Sequence, residues 1–195
     1  VYGDSLSFDL DILDTGVVTI LSNNDSLFIT SKDNVYGETA VILEATDKLG
    51  KSVYDTLNIV VRSINDAPVL SDLSDQVIDE DTILDGININ ISDMETISGL
   101  LFISAFSSDT TLVRNNNIII EGNAENRSLS IIPEQDAYGV VSILISLSDG
   151  ELVSEASFGL TVTPVNDAPV IVGQDSLEVF EDSLLVLDIE FIDYE

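Results

Sequence analysis

The string Ile64-Asn65-Asp66-Ala67-Pro68-Val69 returns as Val165-Asn166-Asp167-Ala168-Pro169-Val170, about 101 residues later. Other landmarks recur in the same order. Tyr36-Gly37 matches Tyr138-Gly139, and Asp47 matches Asp149. Glu80-Asp81-Thr82 matches Glu181-Asp182-Ser183, and Asp93-Met94-Glu95 matches Asp193-Tyr194-Glu195. A chain built this way folds as similar units in tandem. Each proline disfavours helix for the residue before it, so Asn-Asp-Ala-Pro reads as an extended linker. The boundaries then fall at 66/67 and 167/168. Residues 67–167 make one complete repeat, 1–66 a repeat lacking its first strands, and 168–195 the first strands of a third. With no initiating Met and no signal peptide at Val1, the chain reads as a fragment or a processed chain.

Inside a repeat the hydrophobic period is 2. Ile87, Ile89 and Ile91 alternate with Asn88 and Asn90. Val141, Ile143, Ile145 and Leu147 alternate largely with serines, and Phe158, Leu160 and Val162 with Ser157, Gly159 and Thr161. These are half-buried strands, and no stretch carries a helical stripe. Strands are expected near 75–79, 84–92, 99–105, 110–113, 117–121, 128–133, 140–148 and 153–163, the fourth and fifth counting as one element. About seven strands in about 100 residues predict an all-β fold of tandem Greek-key β-sandwiches. Gly139 is expected to supply an unusual turn dihedral beside Tyr138.

Composition narrows the chemistry. The chain has 36 acidic residues against 6 basic ones, a formal charge of -30, with no His and no Cys. Nucleic-acid phosphates and anionic membranes would be repelled. Thiolate and imidazole chemistry is absent, so only oxygen ligands remain, and dense carboxylates suit calcium. No apolar run approaches the 18 residues of a membrane span. A glycosidase needs two isolated carboxylates across a cleft. Here the acids are many and follow the repeat, so the chain is not expected to be an enzyme.

The Asn-Asp-Ala-Pro-Val linkers, Glu80-Asp81-Thr82, the pair Asp93 and Glu95, Tyr138-Gly139, Leu147-Ser148-Asp149-Gly150 and Ala45-Thr46-Asp47 resemble the cadherin-like and bacterial Ig-like tandem repeats of large surface adhesins. That resemblance covers nearly the whole chain. It implies calcium between repeats, an extracellular or cell-surface location, and a role as a rigid spacer or adhesive module.

Strand parity tests where the acids go. If the first strand descends from Asp66, Glu80 reaches the bottom of the module, and the second strand returns Asp93 and Glu95 to the top. Counting on, Asp136 lies at the bottom, Asp149 at the top, and Asn166-Asp167 at the bottom. One junction then gathers Asp33, Asn65, Asp66, Asp93, Glu95 and Asp149, with Asn34 an equal candidate to Asp33. The other gathers Glu80, Asp136, Asn166, Asp167, Asp193 and Glu195. Six oxygen-bearing side chains per junction match the 6–8 oxygens that calcium takes. The competing reading is a solvated acidic rim of a salt-adapted protein.

The expected function is a calcium-rigidified extender of an extracellular adhesin or surface filament. The alternative is a carbohydrate- or receptor-binding adhesive module with a cell-surface ligand, disfavoured by the absence of Trp. The expected partner is self, head to tail. In the fullest version, residues 168–195 of one chain complete residues 1–66 of the next by strand addition. Glu181 then serves the first junction, and Asp47 joins Asp193 and Glu195 at the second.

Overall fold

The computed structural model describes residues 6–23, 26–173 and 176–193. Two compact units separate at the first linker, 1–66 and 67–195. The architecture is all-β, with two single-turn 3-10 segments as its described helical content.

The second unit holds the larger core. Its strands are β6 (Val69–Leu70), β7 (Gln76–Asp79), β8 (Leu84–Ser92), β9 (Phe102–Ser107), β10 (Ile118–Glu121), β11 (Asn126–Ile131), β12 (Gly139–Ser148) and β13 (Val153–Thr163). One sheet has the order β10-β11-β8-β6 and the other β7-β13-β12-β9. Val141, Ile143, Ile145 and Leu147 on β12 and Phe158, Leu160 and Val162 on β13 point inward. They meet Ile89 and Ile91 of β8 and Leu129 and Ile131 of β11 in a single cluster. Alternation alone drives this, because every second side chain of a strand faces the same side.

Three details depart from the sequence reading. The first strand is split: β6 pairs with the end of β8, and the chain then crosses to the other sheet, where β7 runs parallel to β13. Asp75 secures that crossing, its Oδ1 accepting the Gly159 N–H at 2.7 Å. Residues 110–113 form a turn, not a strand. The Asp109 carboxylate accepts the Thr111 N–H at 2.9 Å and hydroxyl at 2.6 Å, bending the chain while Leu112 and Val113 stay buried. The third strand starts at Phe102 because Ser98–Leu100 makes a 3-10 turn.

The first unit has β1 (Ser7–Ile12), β2 (Val18–Asn23), β3 (Ser26–Ser31), β4 (Gly37–Thr46) and β5 (Ser52–Val61). A three-stranded sheet, β1-β4-β5, accompanies the β2-β3 hairpin. Among its described residues only Val17, Val18, Thr39 and Val41 are buried.

Each Tyr-Gly corner bends alike. Gly37 has φ 146° and Gly139 φ 144° at the start of β4 and β12. An L side chain rarely adopts that backbone, so the glycine answers to conformation rather than to space, since a Cβ at Gly139 would meet Leu112 only at an ordinary contact distance of 3.6 Å. Gly139→Ala is expected to cost about 1 kcal/mol of stability in the second unit. A denaturant midpoint lowered at unchanged slope checks this.

Candidate metal centre

β7 and β13 run side by side to the same end of the second unit, and the Glu80 N–H donates to the Thr163 carbonyl at 2.9 Å. This pairing turns the Glu80 side chain inward, where it is 3% exposed. Its Oε1 accepts the Val165 N–H at 2.6 Å, and its Oε2 is buried with no hydrogen-bond partner. A buried, half-satisfied carboxylate is costly unless a cation completes it.

The next residue, Asp81, has φ 56°, and Asp136 at the β11-β12 connection has φ 52°. Aspartate tolerates the left-handed region better than most residues, so both turns can aim a carboxylate at one point. The Asp136 N–H donates to Asp81 Oδ1 at 3.2 Å. Asp167 enters from the linker after β13. One oxygen from each of Asp81, Asp136 and Asp167 lies within 4.8 Å of the others, and no other acidic triad among the described residues does so.

Electrostatics mark the same point. The Asp167 carboxyl is held above its ordinary pKa, first by lost hydration, then by the charges of Asp136, Asp81, Glu80 and Asp193. All four charges are negative. Two oxygens bound to one calcium at 2.3–2.6 Å lie at most about 5 Å apart, a spacing that each pair in the triad meets. The donor set is all oxygen, as a hard cation requires.

Of the residues expected here from sequence, the structure brings together Asp136 and Asp167, with the charges of Glu80 and Asp193 acting on Asp167. Asn166 is exposed, and its amide donates to the Asp167 carbonyl at 2.9 Å. Glu195 lies outside the described residues. Asp81 belongs to the cluster but was not among the ligands expected. Its signal was present, because Glu-Asp recurs at Glu181-Asp182 and Asp182 takes the same conformation, φ 60°.

The other expected ligands divide between the units. Asp33, Asn65 and Asp66 belong to the first, where Asn34 is left-handed at φ 56°. Asp93, Glu95 and Asp149 belong to the second, at the end where β8 and β12 finish. Asp93 Oδ1 accepts the Glu95 and Thr96 N–H groups at 2.9 and 2.6 Å, while its Oδ2 is buried without a partner. Asp149 Oδ1 accepts the Glu151 and Leu152 N–H groups, both at 2.7 Å. Asp47 Oδ1 closes its own turn onto the Leu49 and Lys51 N–H groups at 2.9 Å. Glu181 sits in an exposed turn.

No protein-family model matches the chain, and no curated protein does. Solved structures show similarity at low identity. Cadherin domains 3–6 of protocadherin gamma B2 are 14% identical, with a TM-score of 0.48, covering 96% of this chain and 52% of that one. The human desmocollin-1 ectodomain is 14% identical at TM-score 0.48, covering 85% and 36%. An endo-fucoidan hydrolase of glycoside hydrolase family 107 is 20% identical at TM-score 0.38, covering 80% and 24%. The chain thus spans a quarter to a half of these proteins, and likeness at this level carries nothing about function.

Proposed function

We propose that the chain is an extender segment of an extracellular adhesin or surface filament, and that calcium bound by its linker acids stiffens the array. The observation that carries this reading is Glu80: a carboxylate buried at the linker with one oxygen unpartnered, beside three more carboxylates and no compensating cation acting on Asp167. Glu80, Asp81, Asp136 and Asp167 hold the ion, and Asp193 adds charge. The tandem order supplies the rest, because acids that recur with the repeat recur at every linker.

Calorimetric titration of the whole chain with calcium tests the site. Saturable, stoichiometric heat is expected, reduced by Asp167→Ala and unchanged by Asp72→Ala, since Asp72 is exposed and has no counterpart in the repeat. Diffuse, unsaturable heat, or equal loss in both variants, removes the site and leaves the acidic-rim reading.

Calcium is expected to stiffen the linkers and not to fold the second unit, whose apolar core forms without it. Small-angle scattering should give a longer and narrower distance distribution with calcium. Unfolding of the second unit in chelator contradicts this.

A further inference from the structure

A chain of repeats passes tension through its linkers, and the repeat continues on both sides of residues 67–167. A pull along the chain therefore enters this sandwich at Ala67 and leaves it at Asp167. The first element it meets is β6, held to β8 by two residue pairs. The next is β7, which runs parallel to β13, the strand from which the chain leaves. Gln76 stands opposite Leu160 and Asp79 opposite Thr163. In a parallel pair, the N-terminal end of one strand and the C-terminal end of the other lie at opposite ends of the ladder. Tension between those ends slides the strands past each other, so all rungs resist together. A pair pulled from one end parts rung by rung.

Four residue pairs make a short ladder, and side chains lengthen it at both ends. Before the first pair, Asp75 Oδ1 accepts the Gly159 N–H at 2.7 Å. After the last, the Glu80 N–H donates to the Thr163 carbonyl at 2.9 Å, and Glu80 Oε1 accepts the Val165 N–H at 2.6 Å. Carboxylate oxygens thus stand in for strand carbonyls where the backbone leaves the register. Between them, the Thr163 hydroxyl reaches Asp79 Oδ1 at 2.6 Å and the Ile78 carbonyl at 3.1 Å. These side-chain ties join residues 84 or 85 apart, so each links the entry strand directly to the exit strand. Hydrogen bonds to an ionised acceptor are about twice as strong as neutral ones. By contrast, among the described residues the ten-pair β12-β13 ladder carries side-chain bonds only at its turn, around Ser148 and Leu152.

We infer that the β7-β13 pair is the force-bearing element of the second unit, a clamp across its entry and exit strands, with Asp75 and Thr163 supplying added ties. The inference rests on the extender reading for the source of the pull, and not on bound calcium. Asp75 and Asp79 are exposed, and water replaces an exposed hydrogen bond at little cost to equilibrium stability. Under a pull the same bonds act as one set, because the strands cannot slide until all of them break. Once they break, β13 is drawn from the sheet and Phe158, Leu160 and Val162 leave the core with it. Resistance to force is governed by the rate of that first step, while melting is governed by the whole core. The two properties therefore answer to different residues.

Single-molecule pulling of the full-length chain by its two termini, in chelator, tests this. Opening of residues 67–167 at constant force should appear as a step of about 300 Å. Asp75→Ala and Thr163→Val should each shorten the lifetime before that step about tenfold, while lowering the melting temperature of the second unit by only a few degrees. Ile145→Ala should do the reverse, with the larger drop in melting temperature and the smaller change in lifetime. The absence of cysteine lets the pull be redirected. Ile83 is exposed just past β7, so a handle on Ile83→Cys, pulled against the C-terminus, places both points at one end of the ladder. The unit should then open at a much lower force, and the two tie variants should change that force little. Equal forces in the two directions overturn the inference, as do tie variants that weaken both directions alike. A core variant that shortens the end-to-end lifetime as much as the ties do also overturns it. Because calcium is absent throughout, failure of the clamp is distinct from failure of the calcium titration.

Discussion

Asp167→Asn should raise the melting temperature of the second unit in chelator and remove most of the rise that calcium gives the unsubstituted chain. The two effects have opposite signs because one carboxylate serves two states. Without an ion, Asp167 faces Asp136, Asp81, Glu80 and Asp193 and is partly stripped of water, so its charge is a burden. With an ion, the same charge is a ligand. A site held at ten-fold excess over its dissociation constant contributes about 1–2 kcal/mol. That corresponds to a rise of roughly 5–10 °C in a domain of about 100 residues. A variant that loses stability in chelator as well as calcium response would show that Asp167 is a structural anchor instead.

The pH dependence follows from the same crowding. The folded-state pKa of Asp167 lies above its unfolded value, so the folded chain holds the proton more tightly. This group's contribution favours folding below the ordinary Asp range, and that advantage is lost as pH rises through the raised folded value. This group's contribution to the metal-free melting temperature should therefore be larger near the ordinary Asp range than at neutrality, by an amount that Asp167→Asn removes. Calcium affinity should move the other way, weakening as the pH falls through the same window, because proton and ion compete for one oxygen set.

How far this architecture was legible in sequence depends on what each residue answers to. Strands β12 and β13 were plain because Val141 to Leu147 and Phe158 to Val162 alternate without interruption, and burial on one face enforces alternation. The turn at 110–113 was misread because Leu112 and Val113 are apolar and buried, as a strand pair would be. The deciding group was Asp109, whose carboxylate bends the backbone two residues on. The split of the first strand was hidden for a different reason: Ser71-Asp72-Leu73-Ser74-Asp75 interrupts the apolar pattern, but the crossing itself is set by pairing with two different partners, β8 and β13, which one strand's own pattern does not name. At the candidate site, parity placed Asp136 and Asp167 at one end because alternate strands reverse direction. Asp81 escaped because its approach depends on a left-handed backbone, and a period-2 pattern carries no information about φ.

Ile145→Ala should destabilise the second unit by about 2–5 kcal/mol and leave the first unchanged. Ile145 is fully buried in the middle of β12. Its cross-strand neighbours are Ala156 on β13 and Ala105 on β9, too small to fill a vacated site. Across the core stand Ile89, Leu129 and Ile131, each held by its own strand, so the cavity collapses little. Val41 offers the contrasting case. It is also fully buried, yet the sheet around it stands beside an open cleft, and the first unit buries few other apolar side chains. Calorimetry of the dilute, chelated chain should therefore show two transitions, the lower from the first unit and the upper from the second. Ile145→Ala should move only the upper and Val41→Ala only the lower. Each substitution removes packing inside its own sheet, so its cost falls first on the unit that holds it. A single cooperative transition shifted by both substitutions would show that the two units share one folding equilibrium.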